Sequence, residues 1–241
     1  MEDLSALRSK VQGERCGFIV SDPELIISSE AVNEWSSLRR SISISIPVAF
    51  HIITATDGVT GDIPWDLLDV QIDELNIAYS SMGISFYISS IDTTQNNAWF
   101  SEQWEEEGDP WHENDYKYKL SVDPATTLNI YTLDSGSTLG FAYYPTEFSS
   151  EAGGAYSDNP YLDGVVLHYE TLLALDDNYN GDYSIYNEGD TGIHEVGHYL
   201  GLIHTWGDGD CSVDDEVEDT PNQDGTNDDQ YICDDNLDTC P

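Results

Sequence analysis

The sequence predicts an α+β fold in which a sheet and a long amphipathic helix precede a second helix that carries histidines. Four segments have the alternating or continuously apolar character of β-strands. Residues 63–83 carry apolar side chains at helical spacing, and HEVGHYLGLIH at residues 194–204 places two histidines one helical turn apart. The length of 241 residues suits one or two domains with a sizeable core.

The elements are predicted in a clear order along the chain. Basic residues in the last turn and a serine N-cap predict a helix over residues 29–40. Residues 41–54, SISISIPVAFHIIT, alternate and then become continuously apolar, as a strand entering a core does. The helix over residues 63–83 has a proline near its start and a glycine after its end. Further strands are predicted at ISFYISSI, TLNIYTL and GVVLHY. After Trp206 the periodicity is lost, which predicts loop or disorder over residues 207–241.

The charge of the chain is extreme and unevenly distributed. It has 7 Lys and Arg residues against 47 Asp and Glu residues, a formal net charge of -40. This balance argues against nucleic acid and anionic membrane surfaces as partners and indicates a saline environment or bound cations. Five of the 7 basic residues lie within the first forty positions, and only Lys117 and Lys119 follow them. Residues 1–40 are therefore predicted to form a separate segment.

No apolar run is long enough to span a bilayer, and the opening MEDLSALRSK lacks the apolar region of a signal peptide. We therefore expect no membrane insertion. For an exported protein, we expect an export signal that has been removed or lies upstream.

The segment HEVGHYLGLIH supplies the residue types that a catalytic zinc ion needs. On a helix, His194 and His198 project from one face and can both reach the same metal. Gly201 can adopt the positive φ that ends the helix, which returns His204 as the third ligand. Glu195 then lies beside the metal as the candidate general base for a zinc-activated water. The alternative is that these histidines are merely packed or solvated.

HEVGHYLGLIHTW resembles the zinc signature of the metzincin peptidases, and the wider chain is similar to the pappalysin family within that clan. The supporting stretches cover most of residues 45–221 in the family's order: IPVAFHII, QIDELNIAY, GISFYISSI, LNIYTL, LGFAYYP, DGVVLH and DDEVEDTP. The resemblance implies a metzincin-type catalytic domain with a mixed twisted sheet, a long backing helix, a zinc-binding active-site helix and an irregular, incomplete C-terminal subdomain. It assigns residues 1–40 to a pro-segment, 41–206 to the upper subdomain and 207–241 to a partial lower subdomain.

The resemblance also assigns a substrate-binding strand. In metzincins the matching strand is the sheet edge that lines the cleft, where an extended peptide adds as another strand. The alternative is an ordinary, partly buried edge strand. The residues implied are Leu139, Gly140, Phe141 and Ala142.

The four cysteines fall into two groups. Cys16, in ERCG, is similar to the cysteine switch of latent pappalysins, in which a thiolate occupies the open zinc position. The alternative is a free or disulfide-bonded cysteine. In the acidic tail, the family pattern pairs Cys211 with Cys240 and leaves Cys233 over. Disulfides there would indicate an oxidising, extracytoplasmic setting.

DDEVEDTP in the tail resembles a calcium site of the family. Calcium takes six to eight oxygen ligands, and such an ion can order a loop that lacks a core. The implied ligands are the side chains of Asp215 and Thr220 and the carbonyl of Val217. The alternative is a solvated acidic loop.

One feature departs from the family pattern. Metzincins have a methionine turn downstream of the third histidine, whereas Met1 and Met82 both precede the zinc helix here. We therefore expect the functional protein to continue beyond Pro241.

The sequence as a whole predicts a secreted zinc endopeptidase that acts on peptide or protein substrates and is latent through Cys16. It is expected to carry one catalytic zinc ion and structural calcium. The alternative is a catalytically impaired or non-catalytic, calcium-stabilised acidic binding module in which zinc is structural.

Overall fold

The structure is a computed structural model that describes residues 43–101, 112–148, 154, 156–172, 186–207, 209–218, 220–225 and 240. The predicted helix over residues 29–40, the pro-segment with Cys16, and Cys233 lie outside these ranges. None of the helices within them is long and apolar enough to cross a membrane.

A mixed sheet forms the centre of the described part of the chain. Its strands are β1 (Ile44–Thr54), β2 (Ile84–Gln95), β3 (Leu128–Leu133), β4 (Gly140–Ala142) and β5 (Val165–His168), in the order β2-β1-β3-β5-β4. Strands β1, β2, β3 and β5 run parallel to one another, whereas β4 pairs antiparallel with β5. Strands β3 and β5 are buried at every position, which is typical of parallel strands covered on both faces. The predicted α+β fold with a mixed sheet is confirmed.

Four α-helices accompany the sheet within the described ranges: α1 (Trp65–Tyr79), α2 (Asn97–Phe100), α3 (Glu113–Leu120) and α4 (Asp190–Tyr199). Helix α1 is the predicted long helix, and a short 3₁₀ turn extends it to Gly83, whose φ of 72° closes the end. Sequence reasoning did not predict α3. The strongly polar ENDYKYKL lacks an amphipathic stripe that would reveal it.

The strands divide the interior into two apolar clusters because successive side chains point to opposite faces. The first cluster lies between the sheet and helices α1 and α4, and includes Phe50, Leu75, Ile130, Ala142, Leu167 and Val196. The second lies on the other face with α3, and includes Ile53, Tyr116, Tyr131, Phe141, Tyr143 and Val166. The sheet therefore separates the histidine-bearing helix from α3.

Candidate metal centre and substrate strand

Helix α4 positions two of the three predicted zinc ligands. His194 and His198 lie one turn apart, and their Nε2 atoms are 3.0 Å from each other. Helix α1 braces α4 through two buried polar side chains. The Tyr79 hydroxyl donates to the Ile193 carbonyl at 2.7 Å, and Gln71 Nε2 donates to the Gly189 carbonyl at 3.1 Å. Burial raises the pKa of Tyr79 to about 12, so its hydroxyl remains a neutral donor at physiological pH.

The chain turns after α4 and brings His204 back to the other two histidines. Gly201 has a φ of 98° at this turn, as the sequence predicted. Nitrogen atoms of the three imidazoles all lie within 4.8 Å of one another. Trp206 stacks on the His204 ring, with centroids 4.3 Å apart and the planes 12° from parallel. Sequence reasoning assigned no role to this tryptophan, which fixes the plane of the third imidazole.

The donor set fits a zinc ion. Zinc in catalytic sites takes three protein ligands, often three histidines, and keeps a further position for water or substrate. His198 Nδ1 lies 2.7 Å from the Leu202 carbonyl oxygen. A hydrogen bond to that oxygen places the proton on Nδ1, so the Nε2 lone pair faces the other imidazoles. The ring orientation therefore suits coordination.

Glu195 lies in the same helix turn as the ligands and contacts strand β4. Its side chain is almost fully buried, with 1% of the residue exposed. A Cβ atom built at Gly140 would lie 2.9 Å from Glu195 Cγ and 2.8 Å from the Val166 carbonyl oxygen. The carboxylate can thus lie against the strand only because residue 140 has no side chain. Sequence reasoning placed both residues in the site but missed this contact.

The predicted substrate strand is at the end of the sheet. Strand β4 is last in the strand order, and among the described residues its second backbone edge has no strand partner. On its paired side, Gly140 is opposite Leu167 and Ala142 is opposite Val165. Just before the strand, the Leu139 carbonyl accepts a hydrogen bond from the His168 amide at 2.8 Å. The edge position agrees with the sequence prediction, and the substrate-binding role of the strand stays a prediction.

The acidic tail contains the predicted disulfide. Cys211 and Cys240 are bonded, with their Cα atoms 5.5 Å apart. This bond closes a loop in a region where the described residues form no helix or strand, so it restricts the unfolded chain where apolar burial is scarce.

Two hydrogen bonds link the three predicted calcium ligands. Asp215 is 6% exposed, and its Oδ1 accepts the Val217 amide at 3.0 Å. The Thr220 amide in turn donates to the Val217 carbonyl at 3.0 Å. Calcium binding at these residues stays a prediction.

The fold and the histidine cluster together are of the metzincin type. Residues 113–241 match the family model described as pregnancy-associated plasma protein-A. The chain belongs to this family, the pappalysin metallopeptidases. Membership of the family implies that the histidine cluster binds zinc.

Known relatives agree with this assignment. The chain is 33% identical over 202 residues to an extracellular metalloprotease of Sordaria macrospora, covering 83% of this chain and 64% of that protein. It is 33% identical over 219 residues to an extracellular metalloprotease of Colletotrichum graminicola, covering 90% of this chain and 71% of that protein. The chain thus spans about two thirds of the length of these relatives.

Solved structures of mirolysin from Tannerella forsythia share the fold. Mature mirolysin in complex with a cleaved peptide matches with a TM-score of 0.59 and 29% identity, covering 78% of this chain and 74% of that one. A promirolysin mutant matches with a TM-score of 0.64 and 26% identity, covering 89% of this chain and 78% of that one.

Proposed function

We propose that the protein is a secreted zinc-dependent endopeptidase in which Glu195 is the general base. The observation that carries this proposal is the position of the buried Glu195 side chain, which is on the helix of His194 and His198 and packs against Gly140 of the edge strand β4. A carboxylate held between a metal site and a peptide-binding edge can exchange a proton with both the attacking water and the leaving group.

His194, His198 and His204 would hold the zinc ion. When bound, zinc lowers the pKa of a water molecule and polarises the carbonyl under attack. The Glu195 carboxylate accepts the proton of the attacking water and then delivers it to the nitrogen of the leaving amine, so the peptide bond is replaced by an acid and an amine.

The main chain of Leu139, Gly140, Phe141 and Ala142 would bind the substrate. An extended peptide that pairs with this edge gains main-chain hydrogen bonds and lies across the face next to Glu195. The peptide captured in the mirolysin complex supports peptides and proteins as the substrate class.

Two finer parts of the proposal concern regulation and stability. Cys16 would keep the protein latent by occupying the open zinc position as a thiolate, which suits a protein whose relatives include a promirolysin. Calcium would order the acidic tail through Asp215, Val217 and Thr220. Secretion is supported by relatives named extracellular metalloproteases and by the Cys211–Cys240 disulfide. No observation favours the non-catalytic binding module.

The proposal is tested by Glu195→Gln, which removes the basic oxygen while keeping the size of the side chain. We expect a loss of about 10²- to 10⁴-fold in kcat, with about one equivalent of zinc retained because the three imidazoles are unchanged. Glu188→Gln is the matched control, since Glu188 is exposed just before α4. His204→Ala should instead lose zinc.

Assays should use matured protein, with peptide cleavage and metal content measured on the same samples. Full activity in Glu195→Gln would refute the role of the carboxylate. Zinc-loaded wild-type protein without any Glu195-dependent cleavage would favour the binding module.

A further inference from the structure

A fully buried lysine lies on the opposite side of the sheet from the histidines. Lys117 on α3 is 0% exposed, although it is one of only 7 basic residues in a chain of formal charge -40. Its Nζ lies 2.7 Å from Glu113 Oε1 and donates to the Leu162 carbonyl at 2.8 Å. Burying an ion pair costs several kcal/mol in desolvation, so it is weak evidence for stability alone. The position of this pair needs another explanation.

Aromatic rings enclose the lysine. Its Nζ lies 5.5, 5.4 and 5.2 Å from the ring centroids of Tyr131, Phe141 and Tyr143, within the range of cation–π attraction. The Tyr143 hydroxyl also donates to Glu113 Oε2 at 2.7 Å. Burial, followed by the nearby Glu113 carboxylate, raises the pKa of Tyr143 well above its usual value, so this hydroxyl stays protonated. We call Glu113, Lys117 and Tyr143 the Lys117 cluster.

The Lys117 cluster contacts the same strand that faces Glu195. Phe141 and Tyr143 belong to the apolar cluster on the α3 side, whereas Ala142 belongs to the cluster on the α4 side. Gly140 is also on the α4 side, against Glu195. This alternation follows from the two-residue period of a strand. One face of β4 therefore contacts the catalytic helix, and the other face contacts a buried cation.

Strand β4 is held more by packing on its two faces than by strand pairing. It is three residues long, and β5 is its only strand partner among the described residues. A strand this short has few backbone hydrogen bonds, so its side-chain contacts must set its position. Next along the chain, the Tyr144 ring contacts the His198 ring edge-to-face, with centroids 5.9 Å apart. A shift of β4 would therefore move residues 143 and 144 and, through Tyr144, the ring of His198.

We propose that the Lys117 cluster is a positioning device that holds β4 where an extended peptide pairs with it. The inference rests on the proposed role of β4 in substrate binding. Lys117 lies across the sheet from Glu195 and the three histidines, so the cluster acts on the substrate only through the strand. Its loss should weaken substrate binding more than it slows the chemical step, because binding depends on the aligned strand edge.

The test compares Tyr143→Phe and Lys117→Met with Lys119→Met in matured, zinc-loaded protein. Tyr143→Phe keeps the ring and removes only the hydroxyl that donates to Glu113. Lys117→Met keeps a linear side chain but leaves Glu113 buried without its cation, so it also tests folding. Lys119 is exposed on the same helix and serves as the control. The measurements are kcat and KM for an extended peptide, zinc content, and hydrogen exchange of residues 139–144.

We expect Tyr143→Phe to raise KM roughly three- to tenfold, because the substitution removes the buried hydroxyl that bonds Glu113 and Tyr156. Its kcat should change by less than about twofold and its zinc content should be that of wild type. Exchange of the β4 amides should be faster, whereas Lys119→Met should match wild type in every measurement.

A wild-type KM in Tyr143→Phe overturns the inference, and so does a raised KM with unchanged β4 exchange. A fall in kcat together with zinc loss also overturns it, because the cluster would then support the metal centre and not the strand. Failure of the proposed function is a separate result, since wild-type protein itself would then show no Glu195-dependent cleavage.

Discussion

Replacing Gly140 by alanine should lower kcat/KM by about tenfold or more while zinc remains bound. The added methyl group would lie 2.8 Å from the Val166 carbonyl oxygen and 2.9 Å from Glu195 Cγ. The first neighbour is backbone of the paired strand β5 and the second is the side chain of the general base. Neither is the free end of a flexible side chain, so the strand or the carboxylate must move.

The size of the effect follows from the required displacement. Ordinary van der Waals contact begins at 3.4 Å, so the contact at 2.8 Å demands about 0.6 Å of movement. Overpacking of this kind costs about 1–3 kcal/mol, and a misplacement of about 1 Å in a catalytic geometry can cost about 10²-fold in rate. A shift of about 0.6 Å shared between β4 and Glu195 is consistent with a loss of about tenfold.

Gly197→Ala is the matched control because Gly197 lies in α4 between Val196 and His198. A Cβ atom there would be 3.5 Å from the Tyr79 hydroxyl, which is an ordinary contact. Alanine in a helix interior is more stable than glycine by about 0.5–1 kcal/mol. We therefore expect Gly197→Ala to keep its activity and to melt at the same or a higher temperature. Wild-type kcat/KM in Gly140→Ala would refute the reasoning.

Two further predictions concern the ends of the chain. Cys16→Ala should be processed earlier or spontaneously near Arg39 and Arg40, the only adjacent basic pair, because the open zinc position is no longer blocked. Intact-mass spectrometry over time measures this processing, and latency that neither thiol blocking nor the substitution changes would contradict the prediction. Removing calcium while zinc is resupplied should speed proteolysis within residues 207–241, because an ion at Asp215 and Thr220 would stabilise this segment. Equal cleavage with and without calcium would count against the site.

The fold could be predicted from the sequence wherever burial leaves a periodic pattern. The apolar run that ends in β1 and the stripe of α1 each record which face is covered. The spacing of the two histidines in α4 likewise indicates that both can reach one metal ion. Gly201 was predictable as well, because a positive φ after a helix favours glycine.

The contacts that connect these elements left no comparable pattern. Helix α3 is polar in sequence, and its buried Glu113 and Lys117 look like an ordinary exposed pair at helical spacing. Only the tertiary structure places Tyr143 and the Leu162 carbonyl against them. The stacking of Trp206 on His204 could not be predicted either, because a single aromatic residue near a histidine forms no periodic pattern in the sequence.

Strand β4 is where these unpredicted contacts converge. Its glycine leaves room for Glu195 on one face. On the other face, Phe141 and Tyr143, the residue just after the strand, lie against Lys117. A packed strand with both faces occupied cannot shift toward one side without disturbing the other. A core substitution beside Lys117 and a glycine substitution beside Glu195 should therefore differ in kinetics. The first displaces the substrate edge and raises KM, whereas the second also moves the proton-transferring carboxylate and lowers kcat.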